Sequence, residues 1–116
     1  MKRGDLYWAQ LKPRSGSEQQ GRRPVVIVSS DGFNDVATWR SIIVVPVTTS
    51  PRQATRGPTT VALSSVGTGL SEESIAICHQ ITTLDRSKID RPIGALSEED
   101  MRKIEQGIFA ACDLMP

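Results

Sequence analysis

The order of its secondary-structure signals constrains this chain most: short strand-like runs come first, and a convincing helix appears only near the end. Strand patterns occupy 5–11, 24–28, 42–47, 59–63 and 74–78, and 79–84 continues or follows the last of them. The second and third runs are continuous and β-branched, which is typical of strands buried on both faces, whereas the fourth and fifth alternate. Five or six strands before any helix favour a barrel-like or strongly bent sheet over a β-α-β arrangement.

The C-terminal segment predicts a helix with Ser97 as its N-cap and Leu96 packed on Met101 as a hydrophobic staple. An apolar stripe at steps of three and four residues then faces the core; its members are Met101, Ile104, Ile108, Ala111 and Met115. Between the second and third strands, 30–35 has turn chemistry and fits one short helical turn. The 116 residues are therefore expected to form a single domain, 1–116, mainly β with a C-terminal α-helix.

Charge is unevenly distributed along the chain. Residues 1–58 hold nine lysines and arginines against four acidic residues, and residues 59–116 hold five against nine, although the whole chain carries only +1. That low total argues against a protein that coats nucleic acid generically. A basic half can nevertheless meet phosphates while the acidic half faces elsewhere, with uneven surface decoration as the alternative.

The few cysteines and histidines indicate which cellular compartment and which cofactors to expect. Cys78 and Cys112 lie far apart and form no disulfide framework, so a reducing compartment is expected. No apolar run reaches the about 18 residues that a membrane span needs, which favours a cytoplasmic protein without membrane contact. With His79 as the one histidine and no spaced ligand pairs, no metal and no other cofactor are expected.

Two strand ends carry residues that suit phosphate binding. Pro24 biases Arg23 to an extended backbone, which fixes where the arginine leaves the polar loop 12–22. Thr48, Thr49 and Ser50 follow the third strand, and two strand ends can meet at one edge of a small barrel. A guanidinium beside hydroxyl groups binds phosphate. Trp8 and Trp39 are candidates for stacking bases, with core packing or a dimer contact as the alternative.

An ordered set of motifs makes the interpretation more specific. Arg3-Gly4-Asp5, 16–19, the stretch 21–26 that contains Arg23-Pro24, 45–48 and Gln80-Ile81 together resemble the MazF/PemK family of toxin mRNA interferases. The resemblance implies an SH3-like barrel of the CcdB/MazF type, a homodimer, and the toxin component of a type II toxin–antitoxin system. It also implies a cognate MazE-like antitoxin, which blocks the active site with an extended acidic segment.

The resemblance also implies a chemistry and its residues. The family's catalytic arginine and threonine fall on Arg23 and Thr48, and the RNA's own 2′-hydroxyl attacks the adjacent phosphorus without a metal. The products are a 2′,3′-cyclic phosphate and a 5′-hydroxyl, from single-stranded RNA cut at short sequence motifs. Contacts to RNA are expected from Ser17, Glu18, Gln19, Arg22, Thr49, Ser50, His79 and Gln80.

Some alternatives stay open at this point. His79 stands where relatives often carry an acidic residue, and both a direct acid–base role and a structural role fit a lone histidine. A CcdB-like toxin that poisons gyrase, or a noncatalytic RNA-binding barrel, would share the fold, because fold alone does not fix function.

Overall fold

The computed structural model describes residues 1–11, 16, 18–50, 52 and 57–114. Its strands are β1 (Asp5–Gln10), β2 (Arg22–Ile27), β3 (Ser41–Thr48), β4 (Thr60–Leu63), β5 (Ser74–Ile77), β6 (Thr82–Asp85) and β7 (Ile89–Ala95). Its helices are α1 (Asp31–Asn34) and α2 (Glu98–Cys112), and single 3-10 turns occupy Gly57–Thr59, Cys78–Gln80 and Arg86–Lys88.

The strands form one antiparallel sheet in the order β4-β5-β3-β2-β1-β7, with β6 also paired to β3. The first half of β3 pairs with β6, and its end pairs with β5, where Thr48 lies opposite Ile75. A central strand shared by successive partners lets the sheet bend strongly. The predicted mainly β fold with a C-terminal helix is confirmed, although "barrel" describes it loosely, because in the described part of the chain the ladder ends at β4 and β7 without closing.

The backbone of β7 nevertheless lies directly against the turn between β4 and β5. A Cβ atom placed on Gly94 would overlap the carbonyl oxygen of Thr68, and one on Gly69 would overlap the carbonyl oxygen of Ile93. Gly69 also has φ +86°, which side chains rarely adopt. Two glycines therefore allow the gap at this end of the sheet to be filled by backbone-to-backbone packing.

Two apolar clusters lie on the two faces of the bent sheet. One contains Leu6, Val26, Val45 and Val47 under helix α2, together with buried residues of β4 and β5. The other contains Leu11, Val25, Ile27, Ile42, Val44 and Leu84. Neighbouring β2 residues enter different clusters, which explains why this strand reads as a continuous apolar run.

Helix α2 begins as the sequence predicts. The Ser97 hydroxyl accepts a hydrogen bond from the Asp100 N–H at 3.1 Å, and Leu96 and Met101 belong to the same cluster. Met101 and Ile104 are buried, Ile108 and Ala111 are partly buried, and Met115 lies outside the described residues. The stripe is therefore core packing where it is described.

The strand predictions are confirmed with small shifts in their ends, and the short helical turn is α1, capped by Ser30. Residues 79–84 follow β5 rather than continue it, because the 3-10 turn Cys78–Gln80 separates β5 from β6. β7 was not predicted. It carries Pro92 and charged residues, and among the described strands its backbone pairs with β1 alone, with register shifts; a sheet edge tolerates such a sequence.

Candidate active site

A cleft of about 500 Å³ opens between the start of β2, the end of β3 and the 69–72 loop. Its lining residues are Trp8, Arg22, Arg23, Pro24, Thr49, Gly69, Leu70, Ser71, Glu72, Ser74, Pro92 and Ile93. The lining includes two arginines, one acidic residue, Glu72, and several hydroxyl residues. Such a lining offers hydrogen-bond donors to an anion.

The two predicted catalytic residues lie on neighbouring strands, just beyond the last β2–β3 pair that the structure forms. Val25 lies opposite Pro46, and the same register continued by two residues places Arg23 opposite Thr48. Arg23 is exposed, and its Nε donates to the Gln20 carbonyl at 3.0 Å. That bond holds the inner part of the guanidinium to the loop before β2, so the arginine is oriented within the cleft.

Thr48 is not among the residues that line the cleft. It is only 5% exposed, and its hydroxyl oxygen accepts the Ser50 N–H at 3.1 Å. A threonine hydroxyl that accepts one bond still has its own proton to donate. The bond also folds the chain back immediately after β3, which brings the exposed Thr49 to the cleft wall.

Arg22 is held more tightly than its exposure suggests. Its Nη2 lies 3.0 Å from Asp90 Oδ1 and its Nε lies 3.3 Å from Asp90 Oδ2, a two-pronged ion pair between β2 and β7. Its guanidinium carbon also lies 4.7 Å from the centre of the Trp8 ring. The hydrogen bond from Arg22 is the main reason that the pKa of Asp90 lies below its usual value.

Gln19 and Gln80 are brought together but do not line the cleft. The Gln19 N–H donates to Gln80 Oε1 at 2.8 Å, which ties the loop before β2 to the turn after β5. His79, on the same turn, has its Nδ1 2.8 Å from the Thr59 hydroxyl, and it does not line the cleft either. The structure thus separates His79 from Arg23, and it gives the ring a hydrogen-bond partner on the 3-10 turn before β4.

The predicted RNA-contacting residues therefore fall into groups. Arg22 and Thr49 share the cleft with Arg23, and Ser50 adjoins it through its bond to Thr48. Gln19, Gln80 and His79 form a second, neighbouring set, and Glu18 is exposed on the loop. Ser17 lies outside the described residues, as does much of the two predicted loops 12–22 and 49–58.

Sequence reasoning missed several residues of the cleft. Ser74 lies at the start of β5, next to Thr49 in the register of that pairing, and Leu70, Ser71 and Glu72 come from the preceding loop. Pro92 and Ile93 come from β7, as does Asp90, which does not line the cleft but holds Arg22; β7 had no recognisable strand signal. The one sequence signal for the contact between Arg22 and Asp90 was that their charges are opposite, and 68 residues separate the two.

The part of the chain that the structure describes contains no group of three or more His, Cys, Asp or Glu side chains placed to hold a metal ion. Both cysteines are free thiols, and burial raises the pKa of Cys78 to about 12. Among the described helices, none is long and apolar enough to cross a membrane.

The fold and the cleft together define a small, mainly β protein with a C-terminal helix and a cleft lined by arginine and hydroxyl side chains. A family model for PemK-like, MazF-like toxins of type II toxin–antitoxin systems matches residues 2–111. The chain therefore belongs to that family, as the sequence motifs predict.

Individual relatives agree with this assignment. The chain is 35% identical to the endoribonuclease MazF of Staphylococcus saprophyticus over 108 residues, which cover 93% of this chain and 88% of that one. Its fold matches a MazF crystal structure from Deinococcus radiodurans with a TM-score of 0.81 at 23% identity, covering 98% and 97% of the two chains. It also matches a mycobacterial endoribonuclease in complex with its cognate antitoxin, with a TM-score of 0.78 at 24% identity, covering 100% and 98%.

Proposed function

We propose that this toxin is a metal-independent endoribonuclease that cuts single-stranded RNA, messenger RNA above all, at a short sequence motif. The observation that carries the proposal is the placement of Arg23, which has no carboxylate partner among the described residues, in a cleft bordered by the end of β3, where Thr48 lies. Family membership and the 35% identity to a MazF endoribonuclease support the activity. Because its substrate is messenger RNA, we place its action in the cytoplasm.

The reaction uses the RNA as its own nucleophile. The 2′-oxygen bonds to the adjacent phosphorus and loses its proton, and the bond from phosphorus to the 5′-oxygen breaks as that oxygen gains a proton. The products are a 2′,3′-cyclic phosphate and a 5′-hydroxyl. No step needs a metal if the protein stabilises the charge that builds on the non-bridging oxygens.

Arg23 is the group that we assign to this stabilisation. Its guanidinium presents several N–H donors in a fixed fork that matches two phosphate oxygens. A donor held ready in this way contributes about 3 kcal/mol to the transition state in comparable oxyanion sites. Its bond to the Gln20 carbonyl orients it before RNA arrives, so that orientation does not have to be achieved during the reaction.

We assign Thr48 to the same phosphate. Its hydroxyl accepts from Ser50 and can donate its own proton to a phosphate oxygen or to the attacking hydroxyl. Its burial limits it to one such contact, and the turn that it stabilises presents Thr49 to the cleft. Arg22, Thr49 and Ser50 then hold the flanking nucleotides, and Glu18, Gln19 and Gln80 contact RNA outside the cleft. Ser17, which is not among the described residues, is assigned to RNA binding from the family motif alone.

A catalytic role for His79 has less support. The imidazole is bonded to Thr59 and does not line the cleft that contains Arg23. We therefore assign His79 to RNA binding next to Gln80, and we expect His79→Ala to cleave RNA at a rate far closer to wild type than Arg23→Ala does.

We further propose that the toxin acts as a homodimer and is held inactive by a MazE-like antitoxin. A mycobacterial structural relative is an endoribonuclease in complex with its cognate antitoxin, which supports such a partner here. An extended acidic segment suits a cleft that contains Arg23, and an excess of basic residues in 1–58 favours its approach.

The test is incubation of a long single-stranded RNA with wild type, Arg23→Ala, Arg23→Lys and Thr48→Ala in excess EDTA, followed by mapping of the cut ends. We expect discrete cuts by wild type, with cyclic-phosphate and 5′-hydroxyl ends, and a loss of about 100-fold or more in Arg23→Ala. Arg102→Ala, on an exposed face of α2, is the matched control and keeps wild-type activity. RNA left intact by folded wild type would instead favour a gyrase-poisoning toxin or a noncatalytic RNA-binding barrel.

A further inference from the structure

Arg22 differs from Arg23 in how its charge is used. Asp90 engages two of its N–H groups and balances its charge, whereas Arg23 bonds to a neutral carbonyl and has no carboxylate partner in the described part of the chain. An arginine that is already paired with a carboxylate is the weaker candidate for gripping a phosphate. Arg22 must therefore offer something other than net charge.

The part of Arg22 that remains available to RNA is the flat face of its guanidinium group. A two-pronged bond between a carboxylate and a guanidinium lies in the guanidinium plane, so it covers neither face. Trp8 lies on one side, with its ring centre 4.7 Å from the guanidinium carbon. The Arg22 side chain is still 45% exposed and lines the cleft, so a planar group entering from the cleft meets a planar, oriented surface.

We propose that the Arg22 guanidinium, backed by Trp8 and held in plane by Asp90, is a stacking platform for one nucleobase of the RNA, and that Asp90 is its positioning residue. Unstacked bases of single-stranded RNA bind on arginine planes as well as on aromatic rings. This inference rests on the proposed function, because it assigns a base-binding subsite to the same cleft. It also gives Trp8 a role beneath the arginine rather than in direct contact with the base.

The experiment separates a base contact from a phosphate contact. Once the cleavage motif is mapped, a short RNA that contains it is made with a single abasic ribose at each position in turn, which removes the base and keeps the phosphate and the 2′-hydroxyl. Steady-state cleavage of each RNA is measured with wild type and with Arg22→Lys, which keeps the charge but lacks the plane. Arg40→Lys is the control, because Arg40 is paired with Asp85 at the same 3.0 Å distance outside the cleft.

At one position, the abasic substitution is expected to raise KM for wild type by about tenfold, in the range typical of base stacking. Arg22→Lys raises KM of the intact RNA by a similar factor, and the abasic substitution at that position then has little further effect. Because the platform binds substrate and transition state alike, kcat changes far less than KM. Equal abasic penalties in wild type and Arg22→Lys at every position would overturn the platform, while cleavage by wild type would leave the proposed function standing.

Asp90→Asn tests the positioning role, because that role and the change in charge alone predict opposite changes in KM. Removing a negative charge beside the cleft would by itself attract RNA and lower KM. Loss of the oriented plane instead raises KM by about two- to fivefold, the scale of a half-exposed ion pair. A KM that falls or stays unchanged, in a variant whose folding is verified by circular dichroism, would show that Asp90 does not position Arg22 for the RNA.

Discussion

The contact between Gly107 and Cys78 gives the sharpest prediction about packing. Gly107 is buried in the middle of α2, and a Cβ atom placed there would lie 2.6 Å from the Cys78 sulfur and 3.1 Å from the Cys78 Cβ. The sulfur is held in place by a hydrogen bond to the Ile104 carbonyl at 3.7 Å. Helix α2 can therefore approach the turn that carries His79 and Gln80 only because residue 107 has no side chain.

Two opposing effects determine the result of Gly107→Ala. Replacing glycine by alanine inside a helix stabilises it by about 0.5–1 kcal/mol, whereas overpacking a core costs about 1–3 kcal/mol. We expect the clash to dominate, for a net loss of about 1–2 kcal/mol in the free energy of unfolding. In a Cys78→Ala background the sulfur is gone, and the remaining contact at 3.1 Å is tight but tolerable.

The assay is urea denaturation of the four proteins of this double-mutant cycle, all at one protein concentration. Cys78→Ala alone destabilises the fold, because it removes a buried sulfur. Gly107→Ala should then be neutral or stabilising in the Cys78→Ala protein, which gives a coupling of about 2 kcal/mol between the two sites, within the range seen for residues in contact. A Gly107→Ala effect of the same sign and size in both backgrounds would refute the packing argument.

Two further predictions concern single hydrogen-bond acceptors. Gln80→Ala leaves the Gln19 N–H without its acceptor and should lower kcat/KM for RNA cleavage by about two- to tenfold, whereas Gln80→Glu keeps an acceptor and much of the activity. Asp85 accepts bonds from Ser87 and Arg40 that hold its pKa below the usual 3.8, so its stabilising effect is present above that pH and is lost as the pH falls through the lower folded value. Urea midpoints should therefore show wild type more stable than Asp85→Asn at pH 7 and the difference shrinking below pH 3.8; a difference that does not change with pH would contradict this.

Much of the fold is readable from the sequence because several signals are local. Apolar runs flanked by turn residues mark β2 and β3, and the Ser97 cap with its apolar stripe marks α2. β7 could not be predicted from local signals, because its sequence contains Pro92 and exposed charged residues and because it forms a strand by pairing with β1. Its place in the fold depends on a close approach to Thr68, a contact between residues distant in the chain.

Some residues of the candidate site could be predicted from the sequence and others could not. The proline after Arg23 and the hydroxyl residues after β3 are sequence-local, and the pairing of β2 with β3 makes the two segments neighbours. Asp90 could not be found by such reasoning, because its relation to Arg22 exists only once β1 has paired with both β2 and β7. The motifs also did not predict that Trp8 packs against the guanidinium group of Arg22, because spacing alone does not distinguish an aromatic ring in a cleft from one in a core.

The most direct test of the chemistry is cleavage of an RNA that carries a single 2′-deoxynucleotide on the 5′ side of the mapped scissile phosphate. If the 2′-hydroxyl is the nucleophile, wild-type toxin in excess EDTA leaves that phosphate intact while it still binds the RNA and still cuts a second, unmodified motif in the same molecule. Cleavage at the deoxy position at the normal rate would contradict the account, because water or a protein group would then have to be the nucleophile.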